Sequence, residues 1–166
     1  MRYSIRPATL EDAASIQAIY AHHVKTGTGT FELEPPDLAE IQARMTKIAT
    51  RGSPWLVACA EDGQVIGYAY AGAFRERPAY NCTVEDSIYL APEAVGHGVG
   101  RALLAELISQ CTQSGYSQML AVIGDSGNLA SIGLHRAMGF EDVGVLRDVG
   151  HKFGRFLDVV ILQKSL

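Results

Sequence analysis

Between Val95 and Arg101 the chain reads Val95-Gly96-His97-Gly98-Val99-Gly100-Arg101, with three glycines on alternate positions. Glycine takes positive φ readily and carries no Cβ to hold a ligand off the backbone, so this spacing predicts a cradle of amide N–H groups, which is an anion site. From Ala102 to Gln113, Leu103, Leu104, Leu107, Ile108 and Cys111 then share one helical face. The cradle therefore belongs at a helix N-terminus, where unbonded N–H groups and the macrodipole favour phosphate. Two familiar nucleotide loops fail on spacing. The dinucleotide fingerprint G-x-G-x-x-G needs its third glycine one position later, inside a βαβ unit, and the Walker loop needs a lysine after its last glycine.

Other residues with chemical potential flank this loop. Ahead of it, Thr83 to Leu90 reads as a strand with Val84, Asp86, Ile88 and Leu90 on one side and Glu85, Ser87 and Tyr89 on the other, unless a bulge shifts the phase. The neighbouring carboxylates Glu85 and Asp86 thus face apart. A solvated glutamate, near pKa ~4.3, is a poor base at neutral pH, so base chemistry here requires burial or a second carboxylate to raise it toward roughly 6–7. Behind the loop, Asn128 stands at a helix start, a position that suits an asparagine cap. His135 lies within that helix, and a reference pKa near ~6.5 allows it either protonation state. His22 and His23 are adjacent on a helix and point apart, which argues against a shared metal. The three cysteines, Cys59, Cys82 and Cys111, include no C-x-x-C pair, so neither a disulfide framework nor a zinc site is expected, and no metal is assigned.

The elements that must position these groups follow from periodicity and turn chemistry. Tyr3 to Arg6 is a short strand. Thr9-Leu10-Glu11-Asp12 has capping-box form, and Ile16, Ile19, Tyr20 and Val24 continue at helical spacing. Thr26 to Phe31 is a Gly- and Thr-rich loop; Pro35-Pro36-Asp37 opens a second helix with Leu38, Ile41, Met45 and Ile48, ended by Gly52. Trp55 to Ala60 and Val65 to Gly72 form an antiparallel hairpin about Glu61-Asp62-Gly63-Gln64. Phe74 to Asn81 is polar and irregular, with Arg75, Glu76, Arg77 and Tyr80. Gln118 to Ile123 is an apolar strand, Leu129 to Met138 a helix, and Phe140 to Leu146 and Phe156 to Gln163 are the last strands. The expectation is one α/β domain over residues 1–166, with a mixed, mostly antiparallel sheet of about seven strands flanked by about four helices.

Composition narrows the function classes. The chain has 166 residues, 48% hydrophobic and 19% charged, with a net charge of −4 and both signs mixed along it. Such a chain is globular, with no electrostatic footprint for nucleic acid or an anionic membrane. No apolar run approaches bilayer length and the N-terminal segment lacks a signal-peptide core, so a cytoplasmic location is expected. A small ligand or a protein is the expected partner.

The glycine stretch also resembles the acetyl-coenzyme A pyrophosphate loop of the GCN5-related N-acetyltransferase (GNAT) superfamily, Q/R-x-x-G-x-G/A. Gly98 and Gly100 take the glycine places, and Val95 stands where Gln or Arg is usual. Asn128 followed by Leu134-His135-Arg136-Ala137-Met138-Gly139-Phe140 resembles the superfamily's N…(L)-Y-x-x-x-G-F segment, with His135 in the tyrosine place. The segments 28–32, 69–72, 79–89, 122–124 and 134–135 are similar to the phosphinothricin and methionine sulfoximine acetyltransferases, in the same order. This resemblance covers nearly the whole chain.

The resemblance implies a GNAT fold and acetyl transfer from acetyl-CoA to the α-amine of a small amino-acid analogue such as methionine sulfoximine, methionine sulfone or phosphinothricin, by direct transfer in a ternary complex. Glu85 then falls where the branch has its base, with Asp86 ranked second, and His135 is either a general acid for the departing thiolate or a structural histidine. The backbone of Ile88, Tyr89 and Leu90 would hold the pantetheine arm, Gly96, His97, Gly98, Val99, Gly100 and Arg101 the pyrophosphate, and Asn128 a cofactor amide. Phe31, Arg75, Glu76, Arg77, Tyr80, Glu85, Asp86 and Ser87 would line the acceptor site, with Arg75 or Arg77 on the substrate carboxylate. His151, Lys152, Phe153 and Arg155 would line the site or a homodimer contact. An acetyl-cysteine route through Cys82 lacks an adjacent base. Peptide N-terminal acetylation and coenzyme A binding without turnover are the competing functions.

Overall fold

The computed structural model describes residues 1–166. Seven strands form one sheet: β1 (Tyr3–Pro7), β2 (Trp55–Ala60), β3 (Val65–Ala73), β4 (Thr83–Leu90), β5 (Gln118–Gly124), β6 (Glu141–Lys152) and β7 (Arg155–Ser165). Four helices flank it: α1 (Ala13–Thr26), α2 (Leu38–Thr50), α3 (Val99–Gln113) and α4 (Leu129–Ala137). The strand order is β1-β2-β3-β4-β5-β7-β6. Every neighbouring pair is antiparallel except β4 and β5, which run parallel. The expected mixed sheet and four helices are present. No helix is long and apolar enough to cross a membrane.

The starts of α1 and α2 are fixed by carboxylates that take up free backbone N–H groups. Asp12 accepts from the Thr9 amide at 2.8 Å and also from both terminal nitrogens of Arg6, each at 2.8 Å, so one buried side chain ties β1 to the entry of α1. Asp37 caps α2 by accepting from the Glu40 amide at 2.8 Å. Apolar alternation in the sheet then separates two cores. Ile16, Ile19 and Val24 of α1 and Ile41, Met45 and Ile48 of α2 pack on Trp55, Val57 and Tyr68 on one face. Leu103, Leu104, Leu107 and Cys111 of α3 pack on Leu56, Ala69, Val84 and Met119 on the other. A fully buried leucine contributes about 1.5–3 kcal/mol, so the three fully buried leucines of α3 hold the glycine loop firmly against the sheet.

Two boundaries differ from the sequence expectation. The third helix starts at Val99 rather than Ala102, because Gly98 takes φ +79° at the cap and Val99 is fully buried. Strand β6 runs on to Lys152, well past Leu146: register shifts between Asp142 and Gly144 and between Leu146 and Gly150 absorb the residues that break its alternation, and Asp148 takes φ +55°. The segment 151–155 is consequently the tip of the β6–β7 hairpin. Phe153 and Gly154, with φ of 53° and 74°, are the two turn residues, a conformation that matches strand twist.

Candidate active site

Strands β4 and β5 pair only through Thr83–Gln118, Val84–Met119 and Glu85–Leu120. Beyond that point β4 stays with β3 as far as Leu90, and β5 stays with β7 as far as Gly124. The two halves of the sheet therefore part, and the edge of Asp86–Leu90 facing the gap has no strand partner. A cleft of about 550 Å³ opens there, between the fork, the glycine loop and the N-terminal half of α4. Ile88, Tyr89, Leu90, Gly96, Gly98, Gly100, Arg101 and Asn128 are among the residues that line it.

The glycine loop works by two separate means. Gly96 and Gly98 take φ of 82° and 79°, a left-handed conformation costly to any residue with a Cβ, and this curls the chain before the first turn of α3. Gly100 is already helical; a Cβ there would lie 3.5 Å from both Leu90 and Leu134 at the cleft wall. His97 and Val99 do not line the cleft: His97 is exposed, and the Val99 side chain is buried in the core, leaving only its backbone at the helix start. Asn128 caps α4 by accepting from the Ser131 amide at 3.3 Å and also faces the cleft, so the cap and the ligand-facing position coincide.

Glu85 is the last β4 residue paired with β5, and it sits half-buried on the face opposite Asp86. Its neighbour across β3 is Gly72, and the partner of Ser87 is Tyr70, stacked on Trp55 with ring centroids 4.2 Å apart. A Cβ at Gly72 would lie 3.9 Å from the Tyr70 ring and 4.0 Å from the Glu85 carbonyl. Burial raises the Glu85 pKa to about 7, and the Asp86 charge adds to it, while the Arg75 charge works the other way. Arg75 thus belongs to the electrostatic surroundings of Glu85 without forming an ion pair with it; its guanidinium lies 5.2 Å over the Phe74 ring, which Tyr80 meets edge-on at 5.6 Å. Glu76 is turned to Lys47 on α2, at 2.7 Å, and Arg77 is an exposed residue at the start of a short 3-10 turn. The sequence expectation grouped Arg75, Glu76 and Arg77; the structure associates only Arg75 with Glu85.

The loop carrying Phe31 is pinned from both sides. Glu32 accepts from both terminal nitrogens of Arg44, at 2.6 and 3.0 Å, and from the Tyr20 hydroxyl, which also bonds Thr30 at 2.7 Å. The Arg44 contacts hold the Glu32 carboxyl below its ordinary range, so it stays ionised. Buried Lys152 donates to the Thr30 carbonyl at 2.9 Å, and burial lowers its pKa. Asp125 accepts from Thr28 at 2.7 Å and from Arg155 at 2.9 Å, binding the same loop to the β5 exit. The Phe31 ring then rests against Gly124 and Gly150, where a Cβ would overlap it.

Three further polar residues of the cleft lie outside the set of site residues expected from the sequence. His23 donates from Nε2 to the Leu90 carbonyl at 2.7 Å, and burial lowers its pKa. Thr28 and Ser131 line the same cleft. Spacing alone places His23 only on a helix beside His22. His135 is buried at the cleft wall with both ring nitrogens engaged, by the Ser131 carbonyl and by Asp86. Cys82, by contrast, is exposed and has no base beside it. No group of three or more His, Cys, Asp or Glu side chains is placed to hold a metal ion.

A sheet split between two parallel neighbours, with left-handed glycines at a helix start beyond one end of the gap and a half-buried carboxylate at the other, has the shape of a transferase that takes an extended, phosphate-bearing donor. The acetyltransferase (GNAT) family model matches residues 16–140, and the chain belongs to that family. It is 52% identical to a phosphinothricin N-acetyltransferase of Alcaligenes faecalis over 98% of this chain and 82% of that protein. Identity to an L-methionine sulfoximine/L-methionine sulfone acetyltransferase of Pseudomonas aeruginosa is 43%, over 100% of this chain and 96% of that one. The crystal structure of a GNAT superfamily phosphinothricin acetyltransferase from Sinorhizobium meliloti, in complex with acetyl-CoA, superposes with a TM-score of 0.97 at 49% identity, covering 100% of this chain and 89% of that one. Acetyl-CoA is the donor substrate, and the residues present fit it. The cradle of Gly96 and Gly98 suits its pyrophosphate, and the unpaired edge of β4 suits an arm rich in amides.

The Glu85 environment yields a direct expectation. If its carboxylate is the base, transfer must rise as pH increases through about 7, because only the ionised form accepts a proton. Glu85→Gln is expected to slow turnover by roughly 10²–10⁴-fold and to abolish that acidic limb, with acetyl-CoA affinity retained. A pH–rate profile that keeps its acidic limb in the variant rejects Glu85.

Proposed function

We propose that the chain is an acetyl-CoA-dependent N-acetyltransferase acting on the α-amine of a small amino-acid analogue such as methionine sulfoximine, methionine sulfone or phosphinothricin. The observation that carries the reading is the position of Glu85: the residue at which the sheet divides is also the half-buried carboxylate with a raised pKa. A ligand arm in the fork and an amine arriving from the Gly72–Tyr70 face would meet beside it. Relatives acting on these amino-acid analogues, matched over nearly the whole chain, support the acceptor class.

In this reading Glu85 removes the proton from the substrate ammonium and leaves a neutral amine to attack the thioester carbonyl directly. Amides on the free edge of β4 orient the carbonyl and stabilise charge developing on its oxygen. The amides of 96–100 and the start of α3 hold the pyrophosphate, with Arg101 as a charged partner. Phe31, held between the Arg44–Glu32 pair and the β6–β7 hairpin, forms an apolar wall, and Arg75 is the cation for the substrate carboxylate. Residues 1–166 act as one acetyltransferase domain, in the cytoplasm. The assembly is a homodimer: β6 is a sheet edge whose Val143, Val145, Leu146 and Val149 are all exposed, where an unpaired edge would ordinarily be blunted by charge. Light scattering is expected to give twice the chain mass of 17.9 kDa, and Val145→Lys to shift the population toward the monomer. A monomeric parent protein would remove this part of the reading.

Thiol release measured with a panel of amino acids and peptides tests the acceptor class. Turnover is expected with methionine sulfoximine, methionine sulfone or phosphinothricin, and Arg75→Ala should raise KM for that substrate several-fold, with kcat less affected. Activity on peptides alone would assign a protein acetyltransferase, and tight acetyl-CoA binding without release on any amine would assign a binding module.

A further inference from the structure

The contact between Asp86 and His135 is stated by neither residue's expected role. The two side chains, 2% and 4% exposed, meet with His135 Nε2 2.9 Å from Asp86 Oδ2. On the other side of the ring, Nδ1 lies 2.7 Å from the Ser131 carbonyl. A carbonyl oxygen only accepts, so Nδ1 carries a hydrogen. A neutral ring then has a bare Nε2, and a bare nitrogen against an ionised carboxylate would oppose two acceptors in a dry site, which is costly. One proton therefore lies between Nε2 and Oδ2. Imidazolium with carboxylate, or imidazole with carboxylic acid, gives the same proton count and no net charge.

The surroundings preserve that arrangement. Glu85 adjoins Asp86 on β4 and is influenced by its charge, and Cys111 on α3 is a buried thiol whose pKa is raised by burial and then by Asp86. The Phe140 ring meets the imidazole edge-on at 5.0 Å. No arginine or lysine forms an ion pair with Asp86. Burial by itself pulls the His135 pKa down, but the Asp86 hydrogen bond and charge, with the Ser131 carbonyl, hold it above its ordinary value. Asp86 Oδ1 is buried without a partner, and both residues line the cleft at the fork. It is the one polar side-chain atom of the pair without a hydrogen-bond partner.

We propose that Asp86 and His135 act as a single acid that gives its shared proton to the coenzyme A sulfur, with Asp86 keeping that proton in place over the pH range in which Glu85 is ionised. The inference rests on the acetyltransferase reading above. As the nitrogen–carbon bond forms, the carbon–sulfur bond breaks with its electron pair on sulfur, and sulfur takes the proton, leaving imidazole and carboxylate. The acceptor ammonium loses two protons in becoming an amide: the first passes through Glu85 to solvent, and the second restores the pair. A base and an acid must be ready together. An unassisted histidine near pKa ~6.5 would be largely deprotonated where Glu85, at about 7, has become ionised. Pairing with Asp86 restores the order that the reaction needs.

The test combines pH profiles of kcat/KM for the wild type, Asp86→Asn and His135→Gln with nitrogen-15 spectra of the histidine rings. The wild type should show an acidic limb from Glu85 and a basic limb at higher pH. Asp86→Asn should move the basic limb down by about one unit or more, a loss of about tenfold on the alkaline side, with the acidic limb retained but moved to lower pH because the Asp86 charge no longer helps to raise Glu85, and acetyl-CoA affinity within about twofold, as expected of a pKa effect rather than a binding one. His135→Gln should lack the basic limb. In the spectra the wild-type His135 ring should keep both N–H signals through neutral pH, and in Asp86→Asn it should titrate near ~6.5. An unmoved basic limb together with an unmoved His135 titration overturns the proposal. If Asp86→Asn does not fold, the wild-type spectrum decides, because a singly protonated ring at neutral pH contradicts the shared proton. A wild type inactive on every amine would defeat the acetyltransferase reading instead, and the ring spectra would still decide the proton count.

Discussion

The end of β4–β5 pairing at Glu85 and Leu120 is the constraint on which the site depends. Three residue pairs join the β1–β4 half of the sheet to the β5–β7 half, and past them each strand follows its other neighbour. The gap-facing backbone groups of Asp86–Leu90 then need partners that no strand provides, and the Leu90 carbonyl finds one in His23. Val84 and Met119, fully buried side by side just before the split, close the sheet beneath the gap, while the α3 leucines brace both halves from one face. The fork is thus a stable opening in a continuous core. It fixes where a donor can lie and which side chain stands at its end.

Alternation along β4 gives two consecutive carboxylates different chemistry. Glu85 faces the Gly72–Tyr70 side, where it has no hydrogen-bonding histidine; burial and the adjacent negative charge make its ionisation a near-neutral event. Asp86 faces the α4 side, where the imidazole takes up its charge. The Asp86 charge helps raise Glu85, while Asp86 itself is held by the His135 imidazole at 2.9 Å. The surface ion pairs elsewhere, such as Arg136–Asp142 and Lys47–Glu76, are exposed and contribute little to either fold or site.

Much of this was legible in the sequence, and the exceptions share a cause. Helix starts at Asp12 and Asp37, the β2–β3 hairpin and the opposite faces of Glu85 and Asp86 are local properties, set by caps, turn residues and period-2 alternation. The glycine loop was legible as a left-handed curl at a helix start because its conformation is determined within its own residues. The fork was not, since the loss of pairing between 83–90 and 118–124 depends on how two distant strands compete for neighbours. The Asp86–His135 bond joins residues 49 positions apart, and the two were assigned separate roles. The β6 extension was hidden for a local reason: bulges and a positive φ at Asp148 disguise a strand as a loop. Arg75, Glu76 and Arg77 looked equivalent because adjacency in the chain says nothing of which one α2 captures through Lys47.

Amide hydrogen exchange with and without acetyl-CoA tests the central claim most directly, because it reports on the backbone that the fork leaves unpaired. On binding, the account predicts slower exchange at Ile88–Leu90 and at the amides of 96–100, with little change in β1–β2 or at the β6 edge. Protection confined to other elements, with β4 past Glu85 exchanging as fast as in the free protein, would contradict it.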